Sequence, residues 1–503
     1  MHDSTCSADP SIDAPGGADA LTQSLQETES ATARDTYAKW NRTALAAIVV
    51  IVLLAYVGPV ARCFMRMEIN YNEGWNAYNA RIATTHSLFS VTPAWTVVNY
   101  PFLSFFIVGH LAKVFGDPLY VGRVISLLGL LLFSFAGYRI VRKLTGHCMP
   151  AIYSAAYCLW AILVTSNGYI ASNDPQMLAQ ALILCAFYLY IKSDKSNPSL
   201  VLIAFLFILG GNIKHSLLAA PLAVFVDLIV ISRRKVLWYS FWGILLGCGS
   251  VFINRWVEGP FYLAHLLAPR AFSLSKMLSW PAEIFTIAIP LSICAVWSIR
   301  NIGDATRRIV SLYFLFSFVV GSMFFGGHGA SMNMFFDGFM AISIIMGLIL
   351  DSLWHSKVAQ IQISDRYKWV APLLLWQTGC SSYPPVHFSE LRAKQAQFDS
   401  GVAFLKAQGG PAICEDLLQC YFAGKPYIYD PFNSTSMVDL KRLDPMPMVQ
   451  RIREHDFGAI QTDSPIAAMS RPNDHFPSVI LDAIEENYRI GKVSGNSFIY
   501  VPK

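Results

Sequence analysis

Apolar stretches of membrane-crossing length recur through the first 350 positions, and that recurrence limits the chain to one kind of fold. A spanning helix needs about 20 mainly apolar residues, with a working range of about 17–25. Residues 43–63, 120–138, 148–165, 177–191, 214–232, 236–254, 283–299, 309–325 and 336–353 meet or approach that requirement. One such stretch fits the core of a soluble domain, but this many do not. The chain is 54% hydrophobic and 14% charged, whereas an ordinary soluble domain carries about 25% charged residues. It has too little polar surface to cover itself in water, so an α-helical polytopic membrane protein is expected. The net charge of +5 is small. No Lys/Arg run interleaves with aromatics, so nucleic acid is not an expected partner. The ten cysteines show no metal-ligand spacing. Cys380, Cys414 and Cys420 lie outside the apolar stretches, and a disulfide among them is a minor alternative.

The basic residues fix an orientation, because cytoplasmic loops collect Lys and Arg. Clusters occur at Arg139, Arg142 and Lys143; at Lys192 and Lys195; at Arg233, Arg234 and Lys235; and at Arg300, Arg307 and Arg308. Strict alternation puts the last three on one side if 200–211 is a short span. The first joins them only if 101–115, which opens with proline and carries His110 and Lys113, lies along the interface instead of crossing. The expected fold therefore has about eleven spans and a first outer loop with a juxtamembrane helix. Residues 1–42, polar and rich in Ser, Thr, Ala and Asp, are expected as a disordered cytoplasmic tail without a cleavable signal. Outer-face segments are then 64–119, 166–176, 212–215, 255–282 and 326–335. A weak apolar stretch, 369–378, would carry the tail outside.

The membrane unit is expected over 43–380. From 381 to 503 the composition is that of a soluble domain. Strand patterns at 412–414, 459–461 and 497–501 and helical patterns at 400–408, 447–455 and 477–487 indicate a small α/β domain. It contains no Gly-rich phosphate loop and reads as a lid or acceptor-docking module.

Most of the chemically active side chains fall in the outer loops. The first carries Glu68 and Glu73, then Arg81, His86 and Tyr100-Pro101. Carboxylates at a membrane face are costly unless paired or functional, although both glutamates also fit as ordinary interfacial residues. On a helix, Glu73, Ala77 and Ala80 share one face and Trp75 and Tyr78 another, so this piece is expected to be short and amphipathic and not to span. Asp174, before Pro175, fits a helix N-cap, which does not exclude a second role. Lys214 and His215 stand at a helix entrance where a cation and the helix N-terminus both favour phosphate; Lys214 also fits as a snorkelling side chain. Arg270 lies in the 255–282 loop, and the last loop supplies His328, Asn333 and Asp337 among glycines. Cations and carboxylates from several loops on one face suit a lipid phosphate with a polar reacting group.

The first loop, with NEGWNAYNA, then VNYPFLSF, then VGRVISLL, resembles the GT-C superfamily of polyprenyl-phosphate-sugar transferases. Within it the likeness is to the bacterial protein mannosyltransferase-like group, which includes lipid A aminoarabinose transferases and lipopolysaccharide galacturonosyltransferases. Members carry an acidic pair, usually Asp-Glu, in the first outer loop, and a juxtamembrane helix opening Tyr-Pro-Pro. Here the pair is Asn72-Glu73, and Phe102 replaces the second proline. Asn173-Asp174, Lys214-His215, Arg270 and the run Gly329, Asn333, Asp337 add to the match, which covers about residues 43–350. The resemblance implies inverting transfer of a sugar from a polyprenyl-phosphate donor to an envelope lipid, polysaccharide or protein, on the periplasmic face of a bacterial inner membrane. It makes Glu73 the leading catalytic carboxylate, with Glu68 as reserve and Asp174 as a second acid. It makes Asn72, Tyr100, Lys214, His215, Arg270, His328 and Asn333 the donor-binding set. No cofactor is required; a divalent metal is compatible with the superfamily. A transporter or flippase of lipid-linked sugars and a non-catalytic binder remain as other readings.

Overall fold

The computed structural model describes residues 17–355 and 387–503. Helix α1, Gly17–Arg62, is apolar over Lys39–Arg62, the part long enough to cross a membrane. The polar residues 17–42, expected as a disordered tail, continue this helix, and their Ala, Leu, Gln, Glu and Arg content favours helix. The expected apolar stretch 369–378, the domain start at 381 and Cys380 lie outside the described residues.

The segment between α1 and the next long helix, expected as the first outer loop, carries α2 (Asn72–Ile82) and α3 (Leu103–Phe115). Then come α4 (Pro118–Thr145), α5 (Cys148–Ser166), α6 (Gln176–Lys192), α7 (Asn197–Gly211), α8 (Ala219–Ile231) and α9 (Arg233–Glu258). Short turns α10 (Tyr262–Leu266), α11 (Leu274–Ser279) and α12 (Ala282–Phe285) precede α13 (Ala288–Asn301), α14 (Arg308–Phe325) and α15 (Phe336–His355). By length and composition, six of the described helices can cross a membrane, or seven if α11–α12 and α13 form one span bent by 112°. Helices α3, α6, α7 and α8 are apolar but shorter. The thirteen residues of α3 extend about 20 Å, short of the roughly 30 Å hydrocarbon core.

Two expected spans start late, for one reason. Pro221 and Pro290 each lack an N–H and would clash with the carbonyl four residues before. Accordingly α8 begins at Ala219 instead of 214, and 283–299 breaks between Phe285 and Ala288. The late start of α8 leaves Lys214 and His215 in a loop.

The bundle core is α4 packed on α5, α6 and α15. Asp117 caps α4 by accepting from Leu119 N at 2.9 Å, Pro118 opens it, and Gly146 ends it in the left-handed region at φ 79°. A Cβ on Gly129 would stand 2.7 Å from the Met177 backbone, so only glycine lets α4 and α6 approach this closely. At one end of the bundle Arg139 meets Tyr188, Tyr190 and Arg308 both meet Asp227, and His147 meets Asp351. These contacts place Arg139 of the first basic cluster and Arg308 of the last at this end. The loops with the candidate residues lie at the other end.

The C-terminal sheet has the order β1-β2-β4-β3, with β1 Ala412–Cys414, β2 Ala459–Thr462, β3 Tyr488–Ser494 and β4 Ser497–Pro502. The β1–β2 pair is parallel and the other two pairs are antiparallel. Helices Phe388–Ala407, Met446–Arg453 and Ser478–Asn487 answer the helical patterns in the sequence. Strand β3 and helices Leu417–Phe422 and Pro431–Asp439 are additional. Cys414 and Cys420 form a disulfide, Cα–Cα 5.9 Å.

Candidate active site

Helix α2 is buried from Glu73 to Ala80, because α3, α4 and helix Leu417–Phe422 of the C-terminal domain all pack on it. The approach is close. A Cβ on Gly74 would stand 2.3 Å from Leu418 N. Tyr78 Oη donates to Lys425 O at 2.8 Å, and its ring stacks on Tyr427. The C-terminal domain is thereby seated on the first outer loop, and the two enclose a cavity with the span ends.

That cavity has two lobes. The membrane-side lobe, about 230 Å³, is lined by Lys214, His215, His328 and Asn333 among others. The lobe against the C-terminal domain, about 330 Å³, is lined by Tyr71, Trp75, Asp430, Phe432, Asn433 and His475. Asn72, Asn99, Tyr100, Tyr169, Arg270 and Gly329 line both. All seven residues expected to bind the donor, namely Asn72, Tyr100, Lys214, His215, Arg270, His328 and Asn333, thus come together.

Lys214 is buried, its Nζ 3.7 Å from Asp174 Oδ1 and 4.9 Å from the centre of the Tyr100 ring. With its amide oxygen turned toward Lys214, Asn333 accepts from Nζ at 3.1 Å. Trp75 holds Tyr100 edge-on at 5.3 Å and donates from Nε1 to Val97 O. Arg270 Nη2 reaches Asn433 Oδ1 at 3.3 Å, and the guanidinium lies 5.6 Å from the Phe432 ring. Bonds from His328 N to Ala271 O and from Ser273 N to Gly326 O lace the Arg270 loop to the last outer loop. His328 stacks on Phe432 at 5.0 Å, with Nε2 3.3 Å from Asp474.

The expected carboxylates are placed otherwise. Glu73 is fully buried and lines neither lobe. Arg123 donates to it twice, Nε to Oε1 at 2.7 Å and Nη2 to Oε2 at 2.6 Å, while Ile69 N and Asn173 N donate at 2.7 and 2.8 Å. Arg123 also donates to the carbonyls of Arg62, Met65 and Met67. Both oxygens of Glu73 are therefore occupied in fastening the loop. Glu68 lines a different cavity, about 500 Å³, with Asp416 and Asp463. Burial and then the Asp416 and Asp463 carboxylates push its carboxyl well above the usual range. Asp174 caps α6 through Gln176 N at 2.8 Å and touches the cavity only through Lys214. Its Oδ2 is buried without a hydrogen-bond partner. Among the described residues, no group of three His, Cys, Asp or Glu side chains could hold a metal ion.

Several lining residues had no sequence signal. Asp430, Asn433 and His475 sit in ordinary-looking segments of the C-terminal domain, and Asn99, within VNYPFLSF, was not singled out. Asp430 accepts from Asn433 N and Nδ2 and from Tyr427 Oη, and burial raises its carboxyl despite those bonds. Arg123 lies within VGRVISLL, and its place amid apolar residues was the available signal for a buried partner of Glu73.

Residues 99–256 match the family of dolichyl-phosphate-mannose-protein mannosyltransferases. No curated protein matches the chain in sequence. Among solved structures, ArnT from Cupriavidus metallidurans bound to undecaprenyl phosphate aligns with TM-score 0.57 and 11% identity, over 91% of this chain and 97% of that one. AglB, the oligosaccharyltransferase of Archaeoglobus fulgidus, in complex with an inhibitory peptide and a dolichol-phosphate, aligns with TM-score 0.51 and 9% identity, over 92% of this chain and 74% of that one. This chain shares its fold with ArnT and AglB.

Proposed function

We propose that the chain transfers a sugar from a polyprenyl-phosphate donor to an envelope acceptor, with inversion, at the periplasmic face of the inner membrane. The observation that carries this reading is the lobe lined by Lys214 and Arg270 and built from the ends of the apolar helices. Lys214 and Arg270 receive the phosphate. Their charge stabilises the phosphate oxygen that takes up the electron pair as the anomeric bond breaks. Asp174 and Asn333 hold Lys214 in place, and Tyr100 walls the junction of the lobes where the sugar lies. Asn72, His215 and His328 complete the donor lobe. The second lobe, walled by the C-terminal domain, takes the acceptor. ArnT and AglB, which share the fold, are known with undecaprenyl phosphate and dolichol-phosphate bound.

The N-terminus is then cytoplasmic, residues 43–380 form the membrane unit, and residues 381–503 form a periplasmic domain. The placing of Arg139 and Arg308 at the end of the bundle away from the cavity supports that orientation. The Cys414–Cys420 disulfide does so too, since disulfides persist in oxidising compartments.

The test is sugar transfer from radiolabelled polyprenyl-phosphate sugars to an envelope fraction. Lys214→Met, with its melting temperature kept, is expected to lower transfer about 100-fold, the cost of removing one preorganised charge-stabilising donor. Native protein that binds undecaprenyl phosphate but transfers no sugar would point to a flippase or binder.

A further inference from the structure

Displacement by a neutral hydroxyl needs a group to take the proton, and none of the expected carboxylates Glu73, Glu68 and Asp174 lines the lobe assigned to the acceptor, where Asp430 and Asp474 are the carboxylates present. Glu73 already accepts four hydrogen bonds. Asp430 is held by Asn433 and Tyr427. Asp474 is 75% exposed at the rim beside His328.

His475 differs from these. Its Nδ1 lies 2.6 Å from Oε1 of Glu415, whose Oε2 accepts from Asp463 N at 2.7 Å. Its ring stacks on Tyr71 of the first outer loop at 4.5 Å and 3°, and its backbone N–H donates to Asn473. The ring is thus fixed in plane and in rotation, and it lines the lobe against the C-terminal domain. With Nδ1–H given to the buried Glu415 carboxylate, Nε2 carries the lone pair. Nε2 has no hydrogen-bond partner among the described residues.

We infer that His475 is the base that accepts the proton of the attacking group, and that Glu415 positions it. The acceptor group is therefore a neutral hydroxyl and not a phosphate, which as an anion needs no base. This inference rests on the transferase reading above. In the step, the acceptor O–H proton passes to Nε2 and the oxygen bonds to the anomeric carbon. The bond from that carbon to the phosphate oxygen breaks with its electron pair left on the phosphate, and His475 then returns its proton to water. The charged groups facing the ring are Glu415, Asp463, Asp474 and Asp430 of the C-terminal domain, and Arg270 on the membrane side.

The experiment is single-turnover transfer from a radiolabelled polyprenyl-phosphate sugar to an envelope fraction, read across pH. The labelled product is partitioned into lipid and non-lipid arms, and its linkage is tested with mild acid. His475→Gln is expected to lower the rate about 100-fold, at the lower end of general-base effects, with undecaprenyl phosphate binding unchanged. Native transfer should fall off toward acid pH and His475→Gln should not. Glu415→Gln, which keeps the ring but removes the charge beside it, should move that fall to lower pH. The product in either arm should be a glycoside that survives mild acid. Native-like rates in folded His475→Gln and Glu415→Gln, or an acid-labile glycosyl phosphate product, would overturn the inference. Lipid binding without transfer by native protein would instead overturn the transferase reading and this base with it.

Discussion

Glu73 and Arg123 face each other through two parallel hydrogen bonds with neither side chain exposed, and their remaining capacity goes to backbone groups of residues 62–69 and 173. Removing one partner from such a pair leaves the other charge buried and alone, which costs about 3–5 kcal/mol. Glu73→Gln and Arg123→Gln should therefore each lower the melting temperature of the detergent-solubilised protein substantially, and the double variant should cost much less than their sum. A Glu73→Gln protein with native stability and no transfer would restore Glu73 as a catalytic group. Sequence reasoning singled out this glutamate correctly but could not say what it faces. A carboxylate that works and one that braces a loop have the same neighbours in sequence, and only Arg123, some fifty positions on, separates them. The cations were legible because their context is local: Lys214 at the edge of an apolar stretch, Arg270 and His328 in segments between apolar stretches. His475 and Glu415 were not, because sixty residues lie between them and neither segment carries a motif.

At the scale of elements, α2 shows how tertiary contact overrides pattern. Its sequence predicts a short amphipathic helix that does not span, and the eleven residues of Asn72–Ile82 agree with that. Its burial does not, because helix Leu417–Phe422, more than 300 positions later, covers it. Gly74 makes that seam. Gly74→Ala would put a methyl against Leu418 N and the Leu417 backbone, which neither chain can yield without moving. Overpacking of this kind costs about 1–3 kcal/mol. The variant should loosen the C-terminal domain, seen as faster proteolysis between the membrane unit and residue 388, while the bundle keeps its helical circular dichroism. Unchanged proteolysis would mean that the seam gives way cheaply. The apolar helices were the most legible elements, since bilayer thickness sets their length. The two late starts trace to Pro221 and Pro290, whose effect on the preceding turn the hydropathy pattern does not register.

For the molecule as a whole, the membrane unit and the C-terminal domain enclose two cavities of opposite chemistry. One is the cavity with its cations. The other is the cavity where Glu68 of the first outer loop meets Asp416 and Asp463 of the C-terminal domain. Burial, then neighbouring carboxylates, raise all three carboxyls. Asp416 is pushed up to about 7 and Asp463 to about 6, while Glu68 moves well above its usual range. A carboxyl whose folded value is raised adds stability below its unfolded value near 4, and that contribution is lost as pH rises through the folded value. The junction should therefore hold best in mildly acidic solution and weaken as pH climbs through about 6 to 7. Melting of the purified protein and protease release of residues 388–503 should both show lower stability at about pH 8 than at about pH 5.5. Asp416→Asn, which mimics the protonated form, should raise stability at the higher pH and flatten the dependence. A junction that tightens with rising pH would mean that the three groups are ionised together and balanced by cations, the nearest being Lys394 in the same cavity and Arg62 at the end of α1.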